Sequence, residues 1–322
     1  MPLPAATLVP PTAPPSSQFV PSPHTPPERG ITATLALILP LWAAGCADGQ
    51  LVVLGENAPN PFRFSEPRLL SELASPAKTD NPTLPSDLLE LFFTSERGTS
   101  ADVYVAQRSA PSDAFGPPKR VDAVSSDALE TSPIVSTDGL TLYWASDRAG
   151  GLGDLDIWRA TRSSRSAAWS APENLRALNS DAKDLPRLPG QHQQIMPLSS
   201  DRQRRNYYAI LFARWNDNAQ AYVTPEPVPE LSFERSSTVD AFLTDDGFRL
   251  FYVNGPSFGP ADIFVASRRS TADAFEHFAP LEDINTASDE RDPWLSADGS
   301  TFYFSSDRSG QYAIYEARLR LE

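Results

Sequence analysis

Cysteine is nearly missing from this chain of 322 residues: the single Cys46 rules out any intramolecular disulfide. Histidine is scarce as well, with only His24, His192 and His277, set far apart. One cysteine and scattered histidines cannot supply the three or four ligands of a zinc site, and they leave few ways to build a Ser-His-Asp triad. Metal chemistry is thereby limited to carboxylates. Basic charge is also short, because 27 Lys and Arg face 41 Asp and Glu, for a net charge of −14. Such a surface repels phosphate backbones, so no nucleic acid partner is expected. The apolar run from Ile31 to Trp42 is too short to cross a bilayer core about 30 Å thick.

Proline, in contrast, is plentiful. Residues 2–27 carry ten prolines among small polar residues, a composition that cannot bury a core and is expected to be disordered. Arg29 then precedes the Ile31 to Trp42 run, which has the length of a secretory h-region, and Ala43-Ala44-Gly45-Cys46 closes it. Small residues before a cysteine at that point resemble a bacterial lipoprotein signal. The resemblance implies diacylglycerol on Cys46, with that residue as the mature amino terminus. Ala47 in place of an aspartate implies the outer membrane of the cell envelope. The alternatives are a secretory signal cut elsewhere and a buried apolar segment. The expected organisation is a leader and signal over 1–46, a linker over 47–61 and one folded domain over 62–322.

That domain is repetitive. Arg97, Arg148, Arg202, Gly255 and Arg308 occupy equivalent places in five copies, at steps of 51, 54, 53 and 53 residues. In the clearest copy, Asp138-Gly139 lies between the apolar runs Ile134 to Val135 and Leu142 to Trp144, and Asp-Gly supplies the positive φ angles of a tight hairpin. Ser146-Asp147-Arg148 and three glycines follow, then a third strand at Asp156-Ile157-Trp158, and Trp169 to Leu178 supplies a fourth. Phe115 and Pro118, Trp169 and Pro172, Tyr222 and Pro225, and Phe275 and Pro280 mark outer strands, where proline is tolerated. The same signature at Phe64 and Pro67 precedes the first copy, whereas the last copy has only three strands. The fold expected is all-β, a closed β-propeller of five four-stranded blades whose amino-terminal strand completes the last blade. An open array and a six-bladed ring are the alternatives. The third copy is expected to be irregular, because Gly190 to Gln194 lacks Asp-Gly and Pro197 demotes its second strand.

The pattern Pro-x-x-Ser-x-Asp-Gly, an aromatic strand, Ser-Asp-Arg and Asp-Ile-aromatic resembles the WD-like propeller repeat of TolB and related envelope proteins. The match is best at 132–162 and 292–318 and poor at 184–214. No segment matches the separate amino-terminal α/β domain of TolB. The resemblance implies a stand-alone envelope lipoprotein, located in the periplasm or at the outer membrane.

Several motifs read as structure. In each Asp-Arg pair the aspartate is expected to accept turn amides and the arginine to bridge to a neighbouring strand. Gly255-Pro256-Ser257-Phe258-Gly259 spells a nucleophile pattern in a hairpin loop, where it lacks partners. Gly150 to Asp156 comes near a calcium nonapeptide, but its aspartate is displaced and the unit is not tandem, so turn glycines are the better account. One constellation reads as a site. Asn81, Ser132, Asp240 and Asp292 stand at equivalent positions just before the first, innermost strand of their copies, with Asp80, Glu130, Asp184 and Arg291 close by, and a propeller would gather them at one channel mouth. Such a ring suits a cationic peptide, a sugar or a hard cation such as calcium; solvated loop carboxylates are the plainer reading. No cofactor is expected. The function expected is a non-enzymatic lipoprotein that binds an envelope protein, peptide or glycan and touches membrane only through its anchor. The alternative is a five-bladed carbohydrate-active hydrolase with carboxylates at the mouth.

Overall fold

The computed structural model describes residues 62–320, apart from 191, 233–235 and 257–259. Cys46 with the whole leader, and Ser257 to Gly259 of the serine-containing loop, lie outside the described residues.

Each Asp-Gly pair makes the hairpin it encodes. Gly139, Gly247 and Gly299 take φ of 73°, 73° and 70°, and Leu88 takes the same place in the first copy at φ 59°. A left-handed leucine costs about 1–2 kcal/mol, here offset by burial of its side chain to 8% exposure. Blade 1 consists of Thr79–Thr83, Glu90–Ser95, Asp102–Gln107 and Lys119–Arg120, paired antiparallel in that order. Blade 2 consists of Glu130–Val135, Thr141–Ser146, Asp156–Thr161 and Glu173–Asn174. In blade 3, Asp184–Pro186, Ile195–Ser200 and Ala209–Asn216 are followed by Ala221–Tyr222 and Glu226–Pro227, both on the outer edge. Ser236–Leu243, Arg249–Pro256, Asp262–Ser267 and Glu276–Pro280 make blade 4.

Blade 5 takes Glu290–Leu295, Thr301–Ser306 and Ala313–Arg320 from the end of the domain and its outer pairing from the beginning. Arg63–Phe64 pairs with Arg320 and Leu319, and Arg68–Leu69 pairs with Glu316 and Tyr315. Phe64, 2% exposed, packs its ring 5.0 Å from Phe302. The five-bladed ring is thus closed by the amino-terminal strands, as the sequence predicts.

Middle strands such as Glu90–Ser95 and Thr301–Ser306 are buried along their whole length. This explains why they read as continuous apolar runs rather than as alternation. Between blades 1 and 2, Phe92, Val103, Val135, Leu142, Trp144 and Trp158 form one cluster. Each such side chain removed from water contributes about 1.5–3 kcal/mol.

Two expectations are corrected. Ile195–Ser200 is a full strand with neighbours on both sides despite Pro197, whose carbonyl accepts from Arg187 N–H at 3.0 Å. Phe115, Trp169 and Phe275 do not lie on the outer strands. Lys119–Arg120 and Glu173–Asn174 begin just after Pro118 and Pro172, and the aromatic rings turn inward instead. There Arg108, Arg162 and Arg268 cover them, 4.2, 4.4 and 4.6 Å from the ring centroids. A guanidinium over an aromatic face is favourable by about 0.5–2 kcal/mol.

The Ser-Asp-Arg turns behave as charge chemistry requires. Asp147, Asp201 and Asp307 accept the amides of Leu129, Lys183 and Asp289 at 2.9, 2.9 and 3.0 Å. Arg148, Arg202 and Arg308 reach Glu130, Asp184 and Glu290 at 2.8, 2.6 and 3.0 Å. These three carboxylates are fully buried, and Ser126, Ser180 and Thr286 also donate to them. In the glycine loop of blade 2, Leu152 and Gly153 N–H donate to Asp156, so that carboxylate serves the turn.

Candidate functional site

The site grows from a bulge repeated in the innermost strands. Register shifts occur between Asp80 and Thr83, Thr131 and Ile134, Val239 and Phe242, and Arg291 and Trp294. Inside these bulges Asn81, Ser132, Asp240 and Asp292 have φ of 56°, 51°, 56° and 55°. The bulge turns the amide of the left-handed residue itself sideways, toward the preceding blade. Asn81 N–H donates to Ser305 Oγ at 3.1 Å, Ser132 N–H to Thr94 Oγ1 at 3.2 Å, and Asp240 N–H to Ser199 Oγ at 3.0 Å. In blade 3 the matching residue is Pro186, which has no N–H, and blade 2 carries Ala145 where the hydroxyl would be. At this junction donor and acceptor are absent together, whereas blade 4 carries Val253 at the hydroxyl position beside an Asp292 that keeps its N–H.

The residues after each bulge meet on the axis. One cavity of about 20 Å³ is lined by Asn81 and Pro82, Pro133 and Ile134, Arg187 and Leu188, Ala241 and Phe242, and Asp292 with Trp294, a contribution from every blade. Arg187 brings a positive charge to its lining. Its side chain, 6% exposed, ion-pairs with Asp240 through Nη2 and donates through Nη1 to Pro186 O at 3.0 Å. Burial lowers the Arg187 guanidinium from its ordinary value, against the opposing fields of Asp292 and Asp80.

Asp292 accepts Asn81 N–H at 3.1 Å. Its carboxyl is pushed above the usual range by burial and then by Asp80, with Arg187, Lys78 and Ser305 pulling the other way. Lys78 Nζ lies 2.6 Å from Asp80 Oδ2 and 5.0 Å from the Tyr312 ring centroid. Burial would lower that ammonium, but Asp80 and Asp292 hold it raised. Tyr312 donates to Asp289, and burial followed by that bond pushes its hydroxyl up to about 12. Arg291 Nε donates to the same Asp289 at 2.9 Å.

Of the residues singled out in sequence, Asn81 and Asp292 line the cavity and Asp240 braces Arg187. Ser132 is buried against Thr94, and Arg291 is held by Asp289. Asp184 stands elsewhere. It starts its strand, two residues before Pro186, and is gripped by Ser180, Ser200 and Arg202 in the manner of Glu130 and Glu290. The group at the mouth is therefore a mixed-charge cluster in place of an acidic ring. Sequence reading missed Arg187, Lys78 and Trp294. Aligning Pro186 with Asn81 and Ser132 would have exposed Arg187 as a charge where blades 1, 2 and 5 have proline. Among the described residues, no group of three His, Cys, Asp or Glu is placed to hold a metal ion.

Fold and axial cavity together define a closed five-bladed β-propeller with a polar mouth. No family model and no curated sequence matches the chain. Solved structures do resemble it. TolB from Acinetobacter baumannii is similar over 78% of this chain, at 13% identity and a TM-score of 0.50. This chain spans 56% of that TolB structure. An endo-arabinase from Bacteroides thetaiotaomicron is similar at 10% identity and a TM-score of 0.54, over 76% of this chain and 95% of its own. The catalytic domain of a GH62 α-L-arabinofuranosidase from Coprinopsis cinerea gives 11% and 0.53, over 81% and 98%. At these identities the likeness is one of fold.

Proposed function

We propose that this chain is a non-enzymatic binding module of the bacterial cell envelope, lipid-tethered at Cys46, whose channel mouth receives a protein, peptide or glycan partner. The observation that carries the reading is that the carboxylates near the axis are already engaged. Asp240 holds Arg187, Asp80 holds Lys78 and Asp292 accepts the Asn81 amide. Glycoside hydrolysis needs two carboxyl groups about 5–9.5 Å apart across a sugar, and the axial cavity is only about 20 Å³. The Arg29 to Cys46 signal and the TolB-like repeat support the envelope address.

One observation favours a carbohydrate-active hydrolase: the raised Asp292 carboxyl is what a general acid requires. Two measurements separate the readings. Intact-mass spectrometry on protein from its native membrane should give a mature chain beginning at Cys46 with diacylglycerol, lost in Cys46→Ala; an unlipidated wild-type mass removes the tether. Incubation with arabino-oligosaccharides should release no reducing ends. Turnover that disappears in Asp292→Asn would replace binding by hydrolysis.

A further inference from the structure

Asp-Gly is the peptide bond at which an aspartate most readily isomerises. The glycine nitrogen attacks the aspartate Cγ, a Cγ–O bond breaks, water leaves and a succinimide ring forms. Water then adds at the aspartate main-chain carbonyl carbon and breaks its bond to the glycine nitrogen, so that the chain continues through Cγ as isoaspartate. The water taken up equals the water lost, and no oxidant or reductant takes part. Among the described residues this protein carries three such bonds, Asp138-Gly139, Asp246-Gly247 and Asp298-Gly299, each with an exposed aspartate on a hairpin turn.

The three turns share one set of hydrogen bonds. Gly139, Gly247 and Gly299 N–H donate to the carbonyls of Ser136, Thr244 and Ser296, all at 2.8 Å. The hydroxyls of those same three residues donate to Oδ1 of Asp138, Asp246 and Asp298, all at 2.5 Å. Each hydroxyl also accepts the amide of Thr141, Arg249 or Thr301, at 2.9, 3.1 and 2.9 Å, which ties it into the hairpin. Oδ1 takes a second donor, the amide of Leu140, Phe248 or Ser300, at 2.9, 2.9 and 3.0 Å.

Both reacting groups are thereby held. The glycine nitrogen reaches Cγ only when its peptide plane turns out of the hairpin and its N–H leaves the carbonyl. The carboxyl loses an oxygen only after that oxygen takes a proton, and donors at Oδ1 favour the ionised form. Burial would raise the Asp298 carboxyl, but Ser296 and Ser300 hold it below the usual range. Blade 1 supplies the contrast, because Pro85 stands where the hydroxyl would be, and there Leu88 follows Asp87 in place of glycine. The turn keeps its shape through Leu88 N–H to Pro85 O at 3.0 Å and Leu89 N–H to Asp87 Oδ1 at 3.1 Å. A leucine side chain hinders attack by its own nitrogen. The turn without the hydroxyl is thus the turn without glycine, although leucine is strained at φ 59°.

We propose that Asp138, Asp246 and Asp298 are latent modification sites, kept from isomerising to isoaspartate by the hydroxyls of Ser136, Thr244 and Ser296 two residues upstream. Isoaspartate adds a main-chain carbon to the turn, and turn length sets hairpin register. Loss of the lock would therefore misalign the two inner strands of a blade, one of which faces the axis.

The test incubates the purified full chain for weeks at neutral pH, below its melting transition, and counts isoaspartate at each turn by electron-transfer mass spectrometry of proteolytic peptides. Ser136→Ala should isomerise about 10-fold faster than wild type at Asp138, the extra opening expected when one hydrogen bond to a charged group is lost. Asp246 and Asp298 in the same molecules should keep the wild-type rate. Ser136→Thr, which retains a hydroxyl as Thr244 does in blade 4, should behave as wild type. An unchanged rate at Asp138 in Ser136→Ala overturns the proposal. So does acceleration at all three turns together, which would trace the protection to the fold as a whole. A wild-type rate at Asp138 equal to that of the free peptide of residues 136–141 also overturns it, since no protection would then exist.

Discussion

Blades 2 and 3 are neighbours built from the same repeat, yet only one of them feeds charge into the channel. Blade 2 has the full set: a buried acid at Glu130 gripped by Arg148, a left-handed Ser132 and then Pro133. Blade 3 keeps the grip, through Asp184 and Arg202, but Pro186 ends the bulge and Arg187 enters the axis. Blades 1 and 4 show the converse, with Thr79 and Thr238 where the acid would be and the bulge intact. Clamp and bulge are thus separate devices. The clamp holds a blade together, whereas the bulge decides what the blade presents on the axis.

The sharpest way to break the comparison is at the clamp. Glu130→Ala leaves Arg148, whose side chain is 13% exposed, without its buried partner, and should cost about 3–5 kcal/mol in urea denaturation. Thr79→Val in blade 1 removes the bond shared with Ser95 at 3.2 Å and a long one to Ala77 O at 3.5 Å and should cost about 1 kcal/mol. Equal losses would mean that the acid adds nothing to the clamp.

A smaller effect is expected between blades. Ser199→Ala deprives the Asp240 amide of its acceptor and should destabilise by about 1–2 kcal/mol. Ala145→Ser places a hydroxyl opposite Pro186, which has no N–H to give. It should therefore add no stability, and a more stable variant in thermal denaturation would refute the pairing of the two absences.

Titration of the axis gives a subtler shift. With its folded pKa above the ordinary 3.8, Asp292 contributes stability that is fully present below that value and is lost as pH rises through the raised one. Asp292→Asn has no such loss. The melting temperature of the variant should therefore gain on wild type between pH 4 and pH 7; parallel profiles would contradict the raised carboxyl. Smallest of all, Glu173→Gln breaks the pair with Arg159 on the rim of blade 2, where the two side chains are 59% and 34% exposed. Stability should change by no more than about 0.5 kcal/mol.

Blade number and closure were legible because turn chemistry is local: Asp-Gly and Ser-Asp-Arg write their own φ angles and capping bonds. The strand after Phe64 and Pro67 was legible for the same reason. What escaped was non-local. Pro197 reads as a strand breaker, but neighbours on both sides keep Ile195–Ser200 extended. Asp184 looked like a channel residue because its proximity in sequence hid a two-residue offset from the bulge. Arg187 became visible only when the five strands were assembled, since a lone arginine in one copy gives no sign that the opposing Asp240 lies 53 residues on.

Arg318 N–H donates to Ser65 Oγ across 253 residues of chain. Closing a loop of that length costs about 5 kcal/mol of chain entropy. Without Ala313–Arg320, residues 63–69 have no strand to pair with and blade 5 has no outer edge. The seam thus ties the two ends of the domain to each other, and blade 5 is complete only when residues 63–69 and Ala313–Arg320 are both in place.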